Sequence, residues 1–258
     1  MTSAQLMPPG AGRRSVVARV AVTLVGWMLL AGGCTTEQLI QPRVLMSPYE
    51  HQQLWAVAPF ANESGVSTVD TTRFADLFTQ QLEQVQGINS IPVNRVIFAM
   101  RQLDMRSVAS PADAMELIHV LDVDAIVVGT VTAYDPYPPP TLGAAVQLYA
   151  RLRSDRSSEL DPRALTRATT DVVAPGELGP PNPIAEATGV FDAINHQTLA
   201  WLEQYAAGRS EPDGPFGSDV YLVSMQLYTQ FVSYRLIHDL LAWERARLMP
   251  VAANASSR

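Results

Sequence analysis

The sequence predicts an α/β fold with a pair of helices appended at its C-terminal end, and three observations predict it. A short apolar run, Leu54–Phe60, is followed by an amphipathic helical pattern, which is the alternation typical of α/β domains. The run Asp124–Tyr134 begins apolar on both faces, as a strand covered by helices on both sides must be. The segment 218–249 has a helical apolar stripe too wide for a helix with one covered seam.

The N-terminal segment has the parts of a secretory signal. Arg13 and Arg14 precede an apolar run, and small residues precede a cleavage point. The run Val20–Gly33 is shorter than the ~20 residues that a helix needs to cross a bilayer. Cys34 follows directly, and the segment resembles the lipobox of bacterial lipoproteins, with Ala31 where leucine is usual. The resemblance implies that Cys34 is lipidated; the alternatives are a plain secretory signal with a leftover thiol and an uncleaved anchor.

Composition excludes several classes of function. The net charge of -7 repels phosphate backbones, so nucleic acid is not expected as a partner. All 18 basic residues are arginine, which excludes Schiff-base, pyridoxal-phosphate and P-loop chemistry that needs a lysine amine. The single cysteine excludes CxxC redox sites, cysteine-based zinc sites and internal disulfides. The apolar content of 47% fits a globular domain rather than a disordered chain.

The first part of the domain alternates between strand and helix patterns. Thr35–Glu50 is polar and contains prolines, so it predicts a short tether that keeps the domain close to the bilayer. Leu54–Phe60 predicts a buried strand with a proline near its end. A helix is then expected from Asp70 or Thr71, with apolar residues at helical spacing and a stop at Gly87.

The middle of the chain continues this alternation. Ile88–Val93 predicts a short strand, and Asn94 caps a helix that extends to Leu103. Ser110 and Pro111 are a helix cap and a proline at the first helical position, so a further helix begins there. Asp124–Tyr134 is the clearest strand in the sequence.

A hairpin with a stiff tip is predicted next. Ala144–Arg153 alternates between apolar and polar residues, which indicates the antiparallel return of the preceding strand. The tip presents the aromatic residues Tyr134 and Tyr137 beside Pro138 and Pro139, and prolines restrict the backbone. These four residues are predicted to form a contact surface. The alternative is a merely structural hairpin tip.

The remaining sequence predicts a loop and two helices. Residues 154–189 contain repeated prolines and glycines and are expected to form a long loop, with a possible short strand near 168–173. Helices are expected at Asn195–Ala207 and from Ser218 to about Met249. The predicted organisation is a signal peptide (1–33), a tether (34–51), an α/β domain (52–153), a proline-rich loop (154–189), C-terminal helices packed on the domain (190–249) and a disordered tail (250–258).

Candidate catalytic and metal-binding residues are few. Among the four histidines, His238 forms a candidate pair with Asp239, and adjacent helical residues are expected to point to different sides and not to bind one metal together. The segment Gly65–Val69 departs from the G-x-S-x-G elbow at its last position. Asp122 and Asp124 flank a helix-to-strand turn, where solvated acids are common. We therefore predict no catalytic residues, no metal site and no cofactor.

Two segments resemble a group of bacterial envelope domains. Trp55–Gly65 reads WAVAPFANESG and Asp124–Val131 reads DAIVVGTV, with a periodic helix between them. They are similar to segments of the N-terminal domain of TolB, the peptidoglycan-synthase activator LpoB and the curli-secretion lipoprotein CsgG. The resemblance covers about residues 52–153. It implies a small mixed-sheet α/β sandwich and a non-enzymatic module that binds other envelope proteins, and CsgG-like members oligomerise into an export pore.

These observations predict a bacterial envelope lipoprotein that acts by protein–protein contact in envelope assembly or maintenance. An acyl group on Cys34 would hold it to a membrane and raise its effective concentration for an envelope protein partner. Thr35 is not the aspartate associated with inner-membrane retention, so attachment to the outer membrane, facing the periplasm, is expected. The alternatives are a CsgG-like homo-oligomeric subunit of a secretion complex and a hydrolase.

Overall fold

A mixed sheet with helices on both faces forms the domain. The computed structural model describes residues 41–151, 182–210 and 216–249. In these residues one six-stranded sheet lies between two layers of helices. The predicted α/β class, with a mixed sheet and C-terminal helices, is confirmed.

The sheet combines parallel and antiparallel pairs. Its strands are β1 (Gln53–Val57), β2 (Ala61–Asn62), β3 (Ile88–Ser90), β4 (Ala125–Asp135), β5 (Thr141–Ala150) and β6 (Ala185–Asp192). The order is β3-β1-β4-β5-β6, and β2 pairs with β4 beyond the end of β1. Strand β1 pairs in parallel with both β3 and β4, and β2 pairs in parallel with β4. Strand β5 pairs antiparallel with both β4 and β6. The strand expected at Leu54–Phe60 thus ends at Val57, two residues before Pro59, which cannot donate to a ladder, and β2 begins after it at Ala61.

In the part of the chain that the structure describes, six helices cover the sheet. They are α1 (Thr71–Leu82), α2 (Val93–Gln102), α3 (Pro111–Leu121), α4 (His196–Ala206), α5 (Val220–Val223) and α6 (Met225–Leu248), with a short 3₁₀ turn at Gly217–Asp219. None of the helices in the described ranges combines the length and apolar content that a membrane span requires.

Local capping chemistry sets where several helices begin. Asp70 accepts a hydrogen bond from the Arg73 backbone N–H and caps α1. Ser110 and Asp113 form a reciprocal capping box at the start of α3. The expectation that Ser218 caps the longest helix is wrong. Ser224 has an extended backbone, separates α5 from α6, and accepts the capping hydrogen bond from the Leu227 N–H.

The two faces of the sheet carry different cores. On the first face, α1, α4, α5 and α6 pack aromatic residues against the sheet. Phe60 lies directly over Gly129 of β4, where a larger residue would clash with its ring. On the second face, α2 and α3 pack aliphatic side chains such as Leu117 against β1 and β4. The two faces thus differ in chemistry as well as in helix number.

The C-terminal strand differs from the sequence-based expectation. The hairpin of β4 and β5 is confirmed. Strand β6 begins inside the segment expected to be a loop as far as Gly189, and it pairs with β5 over its whole length. Its buried positions are largely alanines, which carry little apolar signal, so periodicity did not reveal it. The possible strand at 168–173 lies outside the described residues.

Candidate interaction surface

A strap of N-terminal chain is bound to the domain. We use strap for residues 45–49. The Ser47 N–H donates to the Gln86 carbonyl at 2.9 Å, and the Gln86 N–H donates to the Leu45 carbonyl at 2.9 Å. These residues were expected to belong to the tether, which was predicted to continue to residue 51. The strap instead forms a parallel bridge between Met46 and Gln86, which lies between α1 and β3.

A buried carboxylate fastens the end of the strap. The Tyr49 hydroxyl donates to Glu244 of α6 at 2.5 Å, and Arg247 donates two hydrogen bonds, of 2.8 and 2.7 Å, to the same carboxylate. Glu244 is fully buried. Burial, and then the hydrogen bond to Glu244, raise the pKa of Tyr49 well above its usual range. We call Tyr49, Glu244 and Arg247 the clasp; it fixes the strap to the longest helix.

Two adjoining cavities lie where the chain enters the domain. They have volumes of about 580 and 110 Å³ and share Arg43, Tyr205 and Tyr234 in their walls. The larger cavity lies between α1, the end of α4 and α6. Its volume is in the range of about 300–1,000 Å³ that is usual for ligand pockets. We call the two cavities together the arginine groove.

Arg209 is held rigidly in this groove. Its guanidinium lies 4.4 Å from the ring centre of Tyr205 and 5.2 Å from that of Tyr234. The same group donates to the backbone carbonyls of Tyr205 and Arg43, at 3.0 and 3.1 Å. Stacking and hydrogen bonds together restrict the side chain, and a guanidinium keeps its charge throughout. The groove therefore contains a pre-positioned cation.

Polar groups surround this cation. The Tyr205 hydroxyl donates to the buried Gln81 side chain at 3.0 Å, and burial raises the pKa of Tyr205. Gln80, Gln84 and Gln230 also line the larger cavity. Their amides combine donor and acceptor atoms, so this wall offers both kinds of hydrogen-bonding group.

The smaller cavity ends at a second stacked arginine. The Arg235 guanidinium lies 4.3 Å from the Trp201 ring centre and donates to Asp239 at 3.1 Å. His238 Nδ1 lies 2.8 Å from Asp239 Oδ1, so the expectation that these neighbours point apart is wrong. Arg235, one turn earlier on the helix, donates to both oxygens of the same carboxylate, at 3.1 and 3.4 Å. The three residues form one charged cluster on α6.

The predicted contact loop is divided between two environments. Tyr134 is half-buried and packs against the aromatic core of the first face, beside Phe74. Tyr137 is 78% exposed, and Pro138 and Pro139 are also exposed, at the tip between β4 and β5. Cys34 lies outside the described residues. The role of the loop as a contact surface stays a prediction.

Sequence reasoning missed the groove, although its parts have recognisable spacings. Tyr205 and Arg209 are four residues apart on the sequence, as are Arg235 and Asp239. Arg235 and Asp239 lie on one face of α6, where such pairs stabilise one another, whereas Arg209 lies in the turn that follows α4. What spacing does not show is that Arg43, from the strap side, joins them. In the described part of the chain, no group of three histidine, cysteine or acidic residues is placed to hold a metal ion.

Comparisons with known proteins give distant structural likenesses. No protein-family model and no curated protein matches the sequence. The lipoprotein GNA1162 from Neisseria meningitidis is 16% identical, with a TM-score of 0.33 over 54% of this chain and 80% of that one. The LpoB C-terminal domain from Salmonella enterica is 12% identical, with a TM-score of 0.37 over 66% of this chain and 93% of that one. The hypothetical protein CT253 from Chlamydia trachomatis is 12% identical, with a TM-score of 0.38 over 76% and 99%.

These likenesses include the LpoB domain that the sequence motifs suggested, whereas the resemblance to TolB and CsgG stays a prediction. All three identities are below 25% and all three TM-scores are below 0.5. They therefore carry no argument about activity or partners.

Proposed function

We propose that this protein is a lipid-anchored bacterial envelope protein that acts as a non-catalytic docking module for another envelope protein. The observation that carries the proposal is the strap, because it binds residues 45–49 to the folded domain only a short distance after Cys34. Eleven residues at the extended limit of about 3.3–3.6 Å each would span no more than about 40 Å. An acyl group on Cys34 would therefore keep the domain near a membrane surface, and we place that surface on the periplasmic side of the outer membrane.

Confinement of this kind favours a docking role. A module held near a membrane meets a neighbouring protein at a raised effective concentration, so a modest interface suffices. The groove supports the same role, since two of its arginines, Arg209 and Arg235, are stacked and hydrogen-bonded before a partner arrives.

Lipidation is tested in cells with Cys34→Ser and the matched variant Thr36→Ser. Labelled palmitate and intact mass should show an acyl group on the parent chain and on Thr36→Ser, with both in the membrane fraction. Cys34→Ser should lack the label and leave the membrane. An unacylated, freely diffusing parent chain would overturn the anchoring.

Docking is tested by photo-crosslinking in the same cells, with the crosslinker at Gln84 in the groove or at Arg95 on the second face. A discrete product that forms only from Gln84 supports docking through the groove. Equal product from both positions, or turnover of a small molecule by the purified protein, contradicts the proposed role.

An oligomeric assembly subunit is a second candidate, favoured by the position of β6. This strand ends the sheet, so its outer edge pairs with no strand in the described ranges. Glu186, Thr188 and Val190 are exposed along it, and such an edge is a template for another chain. Native mass spectrometry at about 10 μM tests this candidate, since specific association occurs at such affinities. Val190→Lys should convert a ring to monomers while Val120→Lys does not, and a monomeric parent chain rejects the idea.

A further inference from the structure

The arginine groove is basic on an acidic protein. The chain has a net charge of -7, yet the described residues in the walls of the two cavities include three arginines and a histidine and no acidic residue. Asp239 forms an ion pair with Arg235 and also contacts His238, from outside the cavity walls. Arg43 and Arg209 form no ion pair with any described carboxylate. Among the described residues, no carboxylate compensates these two cations of the groove, and they favour an anionic ligand.

The position of Arg209 suits a carboxylate. Two aromatic rings and two carbonyl oxygens hold its guanidinium. A guanidinium has five N–H donors in a flat fork, so these two hydrogen bonds leave donors for a ligand. Because the side chain is already ordered, a ligand that binds it loses little of its binding free energy to fixing it. Arg43 is exposed beside it and offers a second fork.

The amides of the groove favour a peptide among anionic ligands. Gln80 lies in the last turn of α1, Gln84 lies in the turn that follows this helix, and Gln230 lies on α6 across the same cavity. A side-chain amide pairs with both the N–H and the C=O of an extended backbone. A sugar chain needs open aromatic faces, but guanidinium groups already cover a face of Tyr205, Tyr234 and Trp201.

We propose that the arginine groove binds a short acidic peptide segment of a partner protein, with carboxylates at Arg43 and Arg209 and the peptide backbone along the glutamine amides. This inference deepens the proposed docking function and rests on it, because it names the chemistry of the partner.

The test uses the full chain in detergent and a fluorescent peptide of alternating glutamate and alanine. Fluorescence anisotropy should show saturable binding that weakens as salt rises from about 50 to about 500 mM. The same peptide with glutamine in place of glutamate should not bind. Arg43→Glu should weaken binding by about ten-fold or more, since it places a like charge against the ligand.

A matched charge reversal separates a local effect from net charge. Arg95→Glu makes the same change on α2, on the second face, and should alter the affinity by less than about two-fold. The Arg43 side chain makes no contact that its loss would break in the described structure, so Arg43→Glu should fold; circular dichroism checks this. Gln84→Ala, which keeps both arginines, should also weaken binding. Equal effects of Arg43→Glu and Arg95→Glu would overturn the proposal.

The remaining outcomes distinguish this inference from the proposed function. Tighter, Arg43-dependent binding of an oligogalacturonate probe would replace the peptide by an anionic glycan and overturn the inference. Because anisotropy in detergent does not require the acyl group, Cys34→Ser should bind the peptide normally. Acylated protein that crosslinks to a partner in cells but does not bind the acidic peptide overturns this inference alone.

Discussion

The helices on the two faces of the sheet bury different types of residue. Buried aromatic residues concentrate on the first face, as do the buried polar residues of the described chain: Thr79, Gln81, Thr198, Thr229, Ser233 and Glu244. The second face is closed by two short helices with mainly aliphatic residues, and Tyr149 is its one buried aromatic. Buried polar groups require partners and fix a unique geometry. The comparison teaches that the second face stabilises the fold, whereas the first also positions charged groups.

The largest expected effect tests whether aromatic packing holds α6 in place. Phe231→Ala should lower the free energy of unfolding by about 3–5 kcal/mol, because the side chain is fully buried among other rings. Urea denaturation measures it. Leu117→Ala is the matched deletion on the second face and should also destabilise the protein while leaving affinity for the acidic peptide intact. A loss below about 1 kcal/mol for Phe231→Ala would contradict this role of the ring.

Gly129→Ala should be the next largest effect. A methyl group at Gly129 would enter the space of the Phe60 ring, which is itself packed against Phe74 at a centroid distance of 4.4 Å. We expect a loss of about 1–3 kcal/mol from overpacking. Val128→Ala, at the preceding residue, which faces the second face, serves as the control. Unchanged stability of Gly129→Ala would mean that the aromatic cluster repacks without strain.

Glu244→Gln tests the clasp. The neutral side chain keeps the volume but loses the charge that binds Arg247, so stability should fall by about 1–3 kcal/mol. Hydrogen exchange of residues 45–49 should become faster at the same time. Glu203→Gln, an exposed acid on α4, should change neither quantity. If exchange in the strap is unaltered, the clasp does not hold it.

Alkaline pH should weaken the first face. Burial raises the pKa of Tyr49, Tyr205 and Tyr228 above the usual value of about 10. Below about pH 10 these groups are neutral in folded and unfolded chains and have no effect. Above that pH only the unfolded chain ionises them, so stability falls as pH rises, by at most about 1.4 kcal/mol per unit for each tyrosine.

Tyr49→Phe should make the decline between pH 10 and 11 shallower; an identical slope would refute the assignment. Burial also raises the pKa of Tyr149 on the second face, which Tyr149→Phe measures separately.

The smallest effect is expected at the hairpin tip. Tyr137→Ser removes a largely exposed ring, so stability should change by less than about 0.5 kcal/mol. If the tip is a contact surface, the same variant should reduce in-cell crosslinking from a crosslinker placed at Pro139, at the same tip, without altering binding of the acidic peptide. Crosslinking that is equal in both chains would indicate a structural tip.

Local rules predicted much of the fold. The start of α3 was predictable because capping depends on residues close together in the sequence, here Ser110, Pro111 and Asp113. The alternation in β5 likewise predicted its pairing with β4. Strand β6 was missed because small side chains such as Ala187 give no clear period, and the break at Ser224 was missed because the apolar stripe continues across it.

The candidate groove was beyond such rules for a geometric reason. Arg43 and Arg209 are far apart in the chain and meet because Arg43, just before the strap, lies beside the turn that follows α4 and accepts a hydrogen bond from Arg209 through its backbone carbonyl. Pairs four residues apart, such as Tyr205 and Arg209, are visible in the sequence, but their cavity is a property of tertiary packing. A spacing of four residues is therefore visible in the sequence, whereas contacts between distant segments are not.

The clasp also determines how mechanical load enters the domain. Tension that arrives through residues 41–44 reaches Tyr49 and is passed by Glu244 to the C-terminal part of α6, which lies against the sheet. The backbone bonds between the strap and Gln86 share the same load. A force from a membrane would thus act on a long helix and would not separate β1 from its neighbouring strands. The domain is therefore suited to stay folded under tension.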